Sequence, residues 1–553
     1  MINVGVDLGS TYTTVVVYNK VTGQLETILL GEGIPYIPSV VSYYKDTYEF
    51  GSAAKNNMGK KNARVFKAFK MLLTETDEEK LKERGYDKEH TPRKITEIFL
   101  KNLLEQVLQS RSETKIEHLV VGVPEVWAEC LEQIDGRDII RTICKGFDFV
   151  ESVKVVSEPT CASAFFAYNY WQITGKNFDG NILLIDYGGG TLDINLSQVL
   201  LSKDNNVEIK TIDNDGAGEN VDHEIGNAGI IYMEKVIQQA LVENEILDKD
   251  EEVTRDGKFY KVVYALESDF QSKPKLIQDM FEEYGLDDIE GLDEEEFTEL
   301  EYKGDDISIS YGLLLRVYNE VIYPVLDEKL QKMKQTMDNP KYKIDYMNPR
   351  IGKFKIALVG GFGNYYLVKK QVEDCFKFGT QDTRTSNMIN NQSDRERAIA
   401  MGAALLAENK IGIRYTAPYS IGVYMQKDGQ AQYCYAFNYR EEIDIGKEYY
   451  PKKENGDYII TMAAGDTIQR FVFNNGYDSR SAFSVYIKKE IQDKLKNLFQ
   501  NQYHMGMIGF SIDETEILSI HVKDYDPLTH KESETSRTIR LARYADLFDP
   551  VMI

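Results

Sequence analysis

Two stretches far apart in the chain repeat one pattern of apolar and polar positions. Val4-Gly-Val-Asp-Leu-Gly-Ser-Thr-Tyr-Thr-Thr-Val-Val-Val17 returns in outline as Leu183-Leu-Ile-Asp-Tyr-Gly-Gly-Gly-Thr-Leu-Asp-Ile-Asn-Leu196. Each copy is an aliphatic run, an Asp, a turn of Gly with Ser or Thr, and a second apolar run, which predicts a tight hairpin between buried strands. A repeated unit of this kind predicts two similar α/β halves. Between and after the copies the apolar period lengthens. Ile95, Ile98, Phe99, Leu103, Val107 and Leu108 fall mostly at three- and four-residue steps and predict a helix over 95–108. A third Gly-rich turn ends Phe354-Lys-Ile-Ala-Leu-Val-Gly-Gly-Phe-Gly363, and Arg397 to Ala407 reads as a helix of small residues. Strands alternating with helices predict a layered α/β architecture over residues 1–408.

From Tyr415 the texture changes to short alternating runs: Tyr419–Tyr424, Tyr458–Met462, Phe483–Ile487 and Ile517–Val522. Such strands predict a β-sandwich over 409–553. The aromatic-rich Tyr433–Tyr439 reads first as another alternating strand and second as a binding stripe. Within the first part, residues 248–306 are acidic and read as a solvated surface insertion.

Length and composition narrow the picture. At ~150 residues per domain, a chain of 553 residues suggests several domains or subdomains. With 42% hydrophobic and 28% charged residues it has the composition of a folded protein. Its 65 basic and 89 acidic side chains leave a net charge of −24, which repels nucleic acid and anionic bilayers alike. Neither is expected as a partner. Nothing approaches the ~20 consecutive apolar residues of a spanning helix, and the first apolar run, Val4 to Val6, stops at Asp7, so no signal peptide is read. The five cysteines, Cys130, Cys144, Cys161, Cys375 and Cys434, are odd in number and widely spaced, which fits a reducing cytoplasm and buried thiols. The six histidines form no HExxH pair, which disfavours a zinc hydrolase.

A turn of Gly, Ser and Thr lets several backbone N–H groups converge on phosphate oxygens. Two such turns facing each other, with Gly9, Ser10, Thr11 and Tyr12 on one wall and Gly188, Gly189, Gly190 and Thr191 on the other, would grip a polyphosphate from both sides. The carboxylates Asp7, Asp186 and Asp193 would repel it, at ~4 Å and an effective dielectric of ~20 by about 4 kcal/mol per pair of charges. A cation between them is required, and magnesium, with its preference for oxygen and retained water, fits Asp7 and Asp186. One such hairpin alone is more often an ordinary β-turn. The matched pair with Gly360-Gly361 points to Mg-nucleotide. No GxxxxGK[ST] stretch occurs, so a P-loop is not expected.

These residues resemble the actin, sugar-kinase and DnaK superfamily, and within it the DnaK-like, seventy-kilodalton heat-shock chaperones. Val6–Tyr12 is similar to that family's first phosphate motif, Ile185–Asp193 to its second and Leu358–Gly363 to its adenosine motif. Ile37–Val40 with Gly51–Asn56, Val123-Pro124, Ser157–Thr160, Gly218-Glu219 with Asp222, and Ala400–Ala404 follow in the family's order over the first 408 residues. The tail segments Thr416–Val423 and Phe510–Val522 are similar to strands of the family's peptide-binding β-domain. The spacing, together with Phe69–Met71 and Asp513–Ile517, lies closer to the family's distant lidless members, and Ala542–Ile553 is too short for the family's helical lid.

The resemblance implies an actin-like ATPase fold with ATP and Mg2+ as cofactors and client polypeptide as partner. Asp7 and Asp186 correspond to the carboxylates that hold magnesium through water, and Asp193 to an outer one. Gly9 to Tyr12, Gly188 to Thr191, Gly218, Glu219, Glu267, Gly360, Gly361 and Asn364 correspond to nucleotide contacts. Glu158 corresponds to a catalytic glutamate that orients water. The catalytic lysine matches Lys70, with Lys67 as a competitor for the same role. Several positions depart from the pattern: Phe270 and Gln271 replace a basic pair that clasps adenosine, with Lys273 as a substitute cation, while Phe362 and Asn364 stand where Ser and Arg are usual. Glu132 replaces an arginine that relays the family's proline switch, and Lys410–Tyr415 replaces the apolar interdomain linker. The function expected is a slow Mg-ATPase that switches conformation to modulate polypeptide binding. The alternatives are a nucleotide-dependent scaffold with negligible hydrolysis and a small-molecule kinase.

Overall fold

In the computed structural model the chain is described except for residues 31–32, 125–126, 128–135, 202–205, 219–228, 250, 252, 256, 341, 343, 347–352, 377–396, 418–419, 428–429, 439–440, 453–457, 459, 464–469, 475–482, 488–504, 514–517, 541–547 and 550–553. It forms two compact units. The first comprises Met1–Val126, Ile143–Ile209 and Asp213–Gly412; the second comprises Trp127–Thr142, Lys210–Ile212 and Ile413–Ile553.

Both repeats are hairpins. In the first, Ile2–Leu8 pairs antiparallel with Tyr12–Asn19, setting Asp7 opposite Thr14. In the second, Gly180–Tyr187 pairs antiparallel with Thr191–Leu201, setting Asp186 opposite Asp193. Each hairpin opens a larger sheet in the same way. Ile2–Leu8 lies parallel to Ile116–Val123, which lies parallel to Val150–Ser157. Gly180–Tyr187 lies parallel to Phe354–Val359, and Thr191–Leu201 is followed across the sheet by Val207–Gly218. The near-continuous burial of Val4, Val6, Leu119, Val120, Val121 and Leu183 to Ile185 reflects strands covered on both faces, as parallel sheets require.

The helix Ala398–Ala407 is buried along its whole length. Its small residues let two backbones approach closely. A Cβ on Gly402 would lie 1.6 Å from the carbonyl oxygen of Cys161, and one on Gly5 would lie 2.2 Å from the backbone nitrogen of Ala404. The helix expected over 95–108 runs from Pro92 to Arg111; Thr91 caps its first turn and Ser112, at φ 54°, ends it.

The acidic stretch differs from its expectation as a surface insertion. It folds into the helices Gly257–Ser272, Pro274–Tyr284 and Ile289–Glu294 and the hairpin of Glu296–Tyr302 with Asp305–Ser310. Phe259, Leu266, Ile277, Phe281, Leu292, Ile307 and Ile309 are buried beneath it. The charge count measured only its outer faces; the apolar residues spaced between the acids build an inner one.

The second unit contains two antiparallel sheets. One runs Gln430–Phe437, Ser420–Lys427, Arg470–Asn474, Phe483–Ile487 and Phe548–Asp549. The other places Leu518–Asp526 between Met505–Ile512 on one side and Lys531–Glu532 and Arg537–Arg540 on the other. Arg141, from the N-terminal half of the sequence, belongs to this unit and donates to Asp513 at 2.8 Å. Among the described residues no helix is long and apolar enough to cross a membrane.

Candidate functional site

The duplicated topology brings four chain ends together. Asp7 and Asp186 occupy matching places at the carboxyl ends of their strands, Glu158 follows directly on Val150–Ser157, and Gly360 follows directly on Phe354–Val359. In open α/β sheets this edge is where ligands bind. Here it lines a cleft of ≈ 740 Å³ whose walls include Asp7, Gly9 to Tyr12, Lys70, Glu158, Asp186, Gly188 to Thr191, Glu267, Gly360, Gly361 and Asn364.

The two glycine turns face each other closely. A Cβ on Gly190 would lie 2.4 Å from Ser10 Oγ, and one on Gly189 would lie 2.7 Å from Thr11 Oγ1. The first turn is tied down by Ser39, whose hydroxyl donates to Gly9 O at 2.6 Å and whose backbone N–H donates to Thr11 O at 2.8 Å. The second is closed by Gly188 N–H donating to Thr191 O at 2.9 Å, while the N–H groups of Gly229 and Ile230 reach its carbonyls at Gly188 and Gly189. Gly360 has φ +77°, and a Cβ there would stand 2.5 Å from Asp186 Oδ1. Only glycine combines that dihedral with that approach.

Lys70 and Glu158 are both buried and form a salt bridge in the cleft. The chain leaves Arg64–Lys67 through Ala68, at φ 53°. Phe69 packs on Phe99 at 5.2 Å, and Met71, Leu72 and Leu73 are buried, so Lys70 is held between core anchors. Lys67 stands over the ring of Tyr260 and lines a different cavity. Of the two competing lysines, Lys70 is therefore the one in the cleft.

Charge is crowded here. Burial, then the charge of Glu158, pushes the Asp7 carboxyl up to about 7 against the opposing pull of Lys70. Burial and then the charges of Glu158, Asp193 and Asp7 hold Asp186 well above the ordinary carboxylate range. Four carboxylates around one ammonium form a donor set with an unmet demand for positive charge, which a hydrated divalent cation suits. Among the described residues no three Asp, Glu, His or Cys side chains converge as a direct chelate.

The far end of the cleft is aromatic. Phe270 does not point a polar group at a ligand; it is 9% exposed and packs edge-on to Tyr365 at 5.0 Å. Tyr365 shares a hydroxyl contact of 2.9 Å with Tyr232, and Phe362 lies 5.0 Å from Tyr187. Gln271 lines the cleft, and Glu267, raised to about 7 by burial against the pull of Lys55, lies on the same helix. Lys273, the substitute cation, is 3.3 Å from Asp269 and is not among the lining residues. Gly218 ends its strand, while Glu219, Asp222 and Glu132 lie outside the described residues. Sequence reasoning missed Ile230, Met233, Tyr365 and Tyr366 as lining residues. The apolar helix Gly229–Glu243 that follows the Gly218 motif was the signal for the first two.

Two duplicated α/β halves, each presenting a hairpin with Asp ahead of its glycine turn at a shared cleft, define the actin-like ATPase fold. Residues 3–245 match the family described as Hsp70 protein. The chain is 29% identical over 196 residues to the chaperone protein DnaK of Mycoplasmoides gallisepticum, covering 35% of this chain and 30% of that one. It is 29% identical over 197 residues to the DnaK of Thermotoga neapolitana, with the same coverage. To the ribosome-associated molecular chaperone SSB of Candida glabrata it is 25% identical over 228 residues, 35% of this chain and 34% of that one. The match thus spans about a third of the length of these curated relatives. The likeness to Hsp70 proteins is carried by the N-terminal part of the chain.

Proposed function

We propose that this chain is an Hsp70-like chaperone of the cytoplasm that binds Mg-ATP in the cleft and hydrolyses it slowly. Its nucleotide state would alter polypeptide binding by a C-terminal β-domain, residues 409–553. The observation that carries the reading is the buried Lys70–Glu158 pair standing between two facing glycine turns.

Backbone N–H groups of Ser10 to Tyr12 and of Gly189 to Thr191 would hold the phosphates from two sides. Lys70 would meet the terminal phosphate, and Glu158, held by Lys70, would accept a hydrogen bond from the attacking water and orient it. Catalysis of this kind is positioning and charge neutralisation. Magnesium, held through water by Asp7 and Asp186, would neutralise phosphate charge when bound. Asp193, opposite Asp186 in the hairpin register, would receive an outer water. Such a site suits a conformational switch better than metabolic turnover.

A scaffold reading, with binding but negligible hydrolysis, draws support from the far end of the cleft, where Phe270 joins the aromatic core in place of a basic clasp. Mg-dependent phosphate release by the purified chain, measured beside Asp186→Asn, separates the readings. The ATPase reading expects release from the parent and its loss in the variant. Tight nucleotide binding by the parent with no release selects the scaffold, and equal release from both sinks the site assignment.

A further inference from the structure

A second cavity, of ≈ 590 Å³, opens in the N-terminal unit. It shares Ser10, Thr11 and Ile230 with the nucleotide cleft, but Asp7, Lys70, Glu158 and Asp186 do not line it. Five basic side chains, those of Lys60, Lys67, Lys80, Arg84 and Arg255, line it against two acidic ones, Glu83 and Glu234. That excess of positive charge sits in a chain whose net charge is −24. Lys60 donates to Asn57 Oδ1 at 2.7 Å, Arg84 to the Tyr260 hydroxyl at 3.4 Å, and Lys67 lies over the Tyr260 ring. Arg255 meets the buried Glu234 at 3.0 Å. Like charges gathered within one concavity repel each other and focus a positive field into it, which an anion entering the space relieves.

We propose that this cavity is a second ligand site, for a small phosphorylated organic compound. Lysine ammonium groups and the forked guanidinium of Arg84 or Arg255 supply charge-assisted hydrogen bonds to phosphate oxygens. The volume exceeds what a phosphate alone fills, and Val65, Met71 and Leu72 offer apolar contact to an organic body. Because Ser10 and Thr11 belong to both walls, occupancy of this cavity and of the nucleotide cleft must be linked, and the linkage is reciprocal. The site itself is independent of the ATPase reading; only the linkage rests on it.

The test uses the full chain with inorganic phosphate as probe, following the thermal unfolding midpoint, with chloride added to match ionic strength in the control. Magnesium and a non-hydrolysable ATP analogue are present to fill the nucleotide cleft. Phosphate is expected to raise the midpoint of the loaded chain where chloride does not. Lys60→Gln/Lys80→Gln, which leaves the Arg255–Glu234 pair intact, is expected to weaken the phosphate response about tenfold or more while the analogue still binds. The proposal is overturned if phosphate and chloride act alike, or if the double variant, still binding the analogue, responds as the parent does. Asp186→Asn separates this inference from the proposed function. It should lose the analogue and keep the phosphate response; an unaltered affinity for the analogue would count against the nucleotide site alone, and a lost phosphate response against the second cavity alone.

Discussion

Lys70 and Glu158, 88 residues apart in sequence, meet as a buried ion pair in the cleft between the two glycine turns. The pair joins a short turn after the strand Arg64–Lys67 to the first residue of the helix Glu158–Thr174. Because both groups are buried, removing one leaves the other uncompensated, at a cost of about 3–5 kcal/mol. Lys70→Met is therefore expected to lower stability as well as to abolish phosphate release. Adding Glu158→Gln should recover most of the thermal midpoint without recovering turnover. Lys67→Met, in the other cavity, should leave phosphate release near the parent rate. A parent-like rate in Lys70→Met, measured by phosphate release, would remove Lys70 from the mechanism.

Gly360 touches Asp186 and adopts a left-handed dihedral, so Gly360→Ala introduces both backbone strain and a clash with the Asp186 carboxylate. The expected cost is about 1–3 kcal/mol of stability, together with weaker Mg-nucleotide binding. Calorimetry of nucleotide binding alongside denaturant unfolding checks it. Gly361→Ala, with open space beside it, is the control for strain and should unfold at the parent's denaturant midpoint.

Glu267 gives the nucleotide-free chain a pH dependence. Its carboxyl is raised from the ordinary 4.5 to about 7 by burial. The folded state therefore favours the protonated form, and the stability this group contributes is full below pH 4.5 and lost as pH rises through 7. Glu267→Gln should raise the midpoint at pH 8 relative to the parent, by a few degrees at about 2–4 °C per kcal/mol, and should leave it nearly unchanged at pH 4.5. Equal shifts at both values would show that the ionised carboxylate carries no penalty in the fold.

His521 sets the opposite dependence in the second unit. It is buried between Ser511, at 2.6 Å from Nε2, and Thr538, at 2.8 Å from Nδ1. Burial lowers its pKa, with Lys523 acting in the same direction and Glu448 opposing. A histidine depressed in the folded state supports stability above its ordinary range near ~6.5 and loses that support as pH falls. Hydrogen exchange along Leu518–Asp526, corrected for intrinsic rates, should show protection falling as the medium is acidified below that range. His521→Gln should flatten the response, and an unchanged slope would rule the histidine out as its source.

Local chemistry was written plainly in the chain. The two hairpins, their Asp residues, the Gly360 turn and the small-residue helix were legible because each depends on residues within a dozen positions of one another. A two-residue period makes a strand, glycine makes the turn, and an Asp beside it needs a counter-charge. The change of texture after Tyr415 was legible for the same reason.

What folding added is pairing over distance. Lys67 and Lys70 carry the same charge three positions apart, and the left-handed backbone at Ala68 with the core anchors on either side of Lys70 decides which one meets Glu158. Phe270 reads as a lost nucleotide contact until Tyr365, 95 positions onward, supplies the ring it packs against. The acidic stretch reads as solvent-facing until its apolar residues find a shared interior. Charge counts and periods describe one segment at a time, whereas burial, and with it the strength of every ion pair and carboxylate shift in the cleft, depends on which segments the sheet order brings side by side.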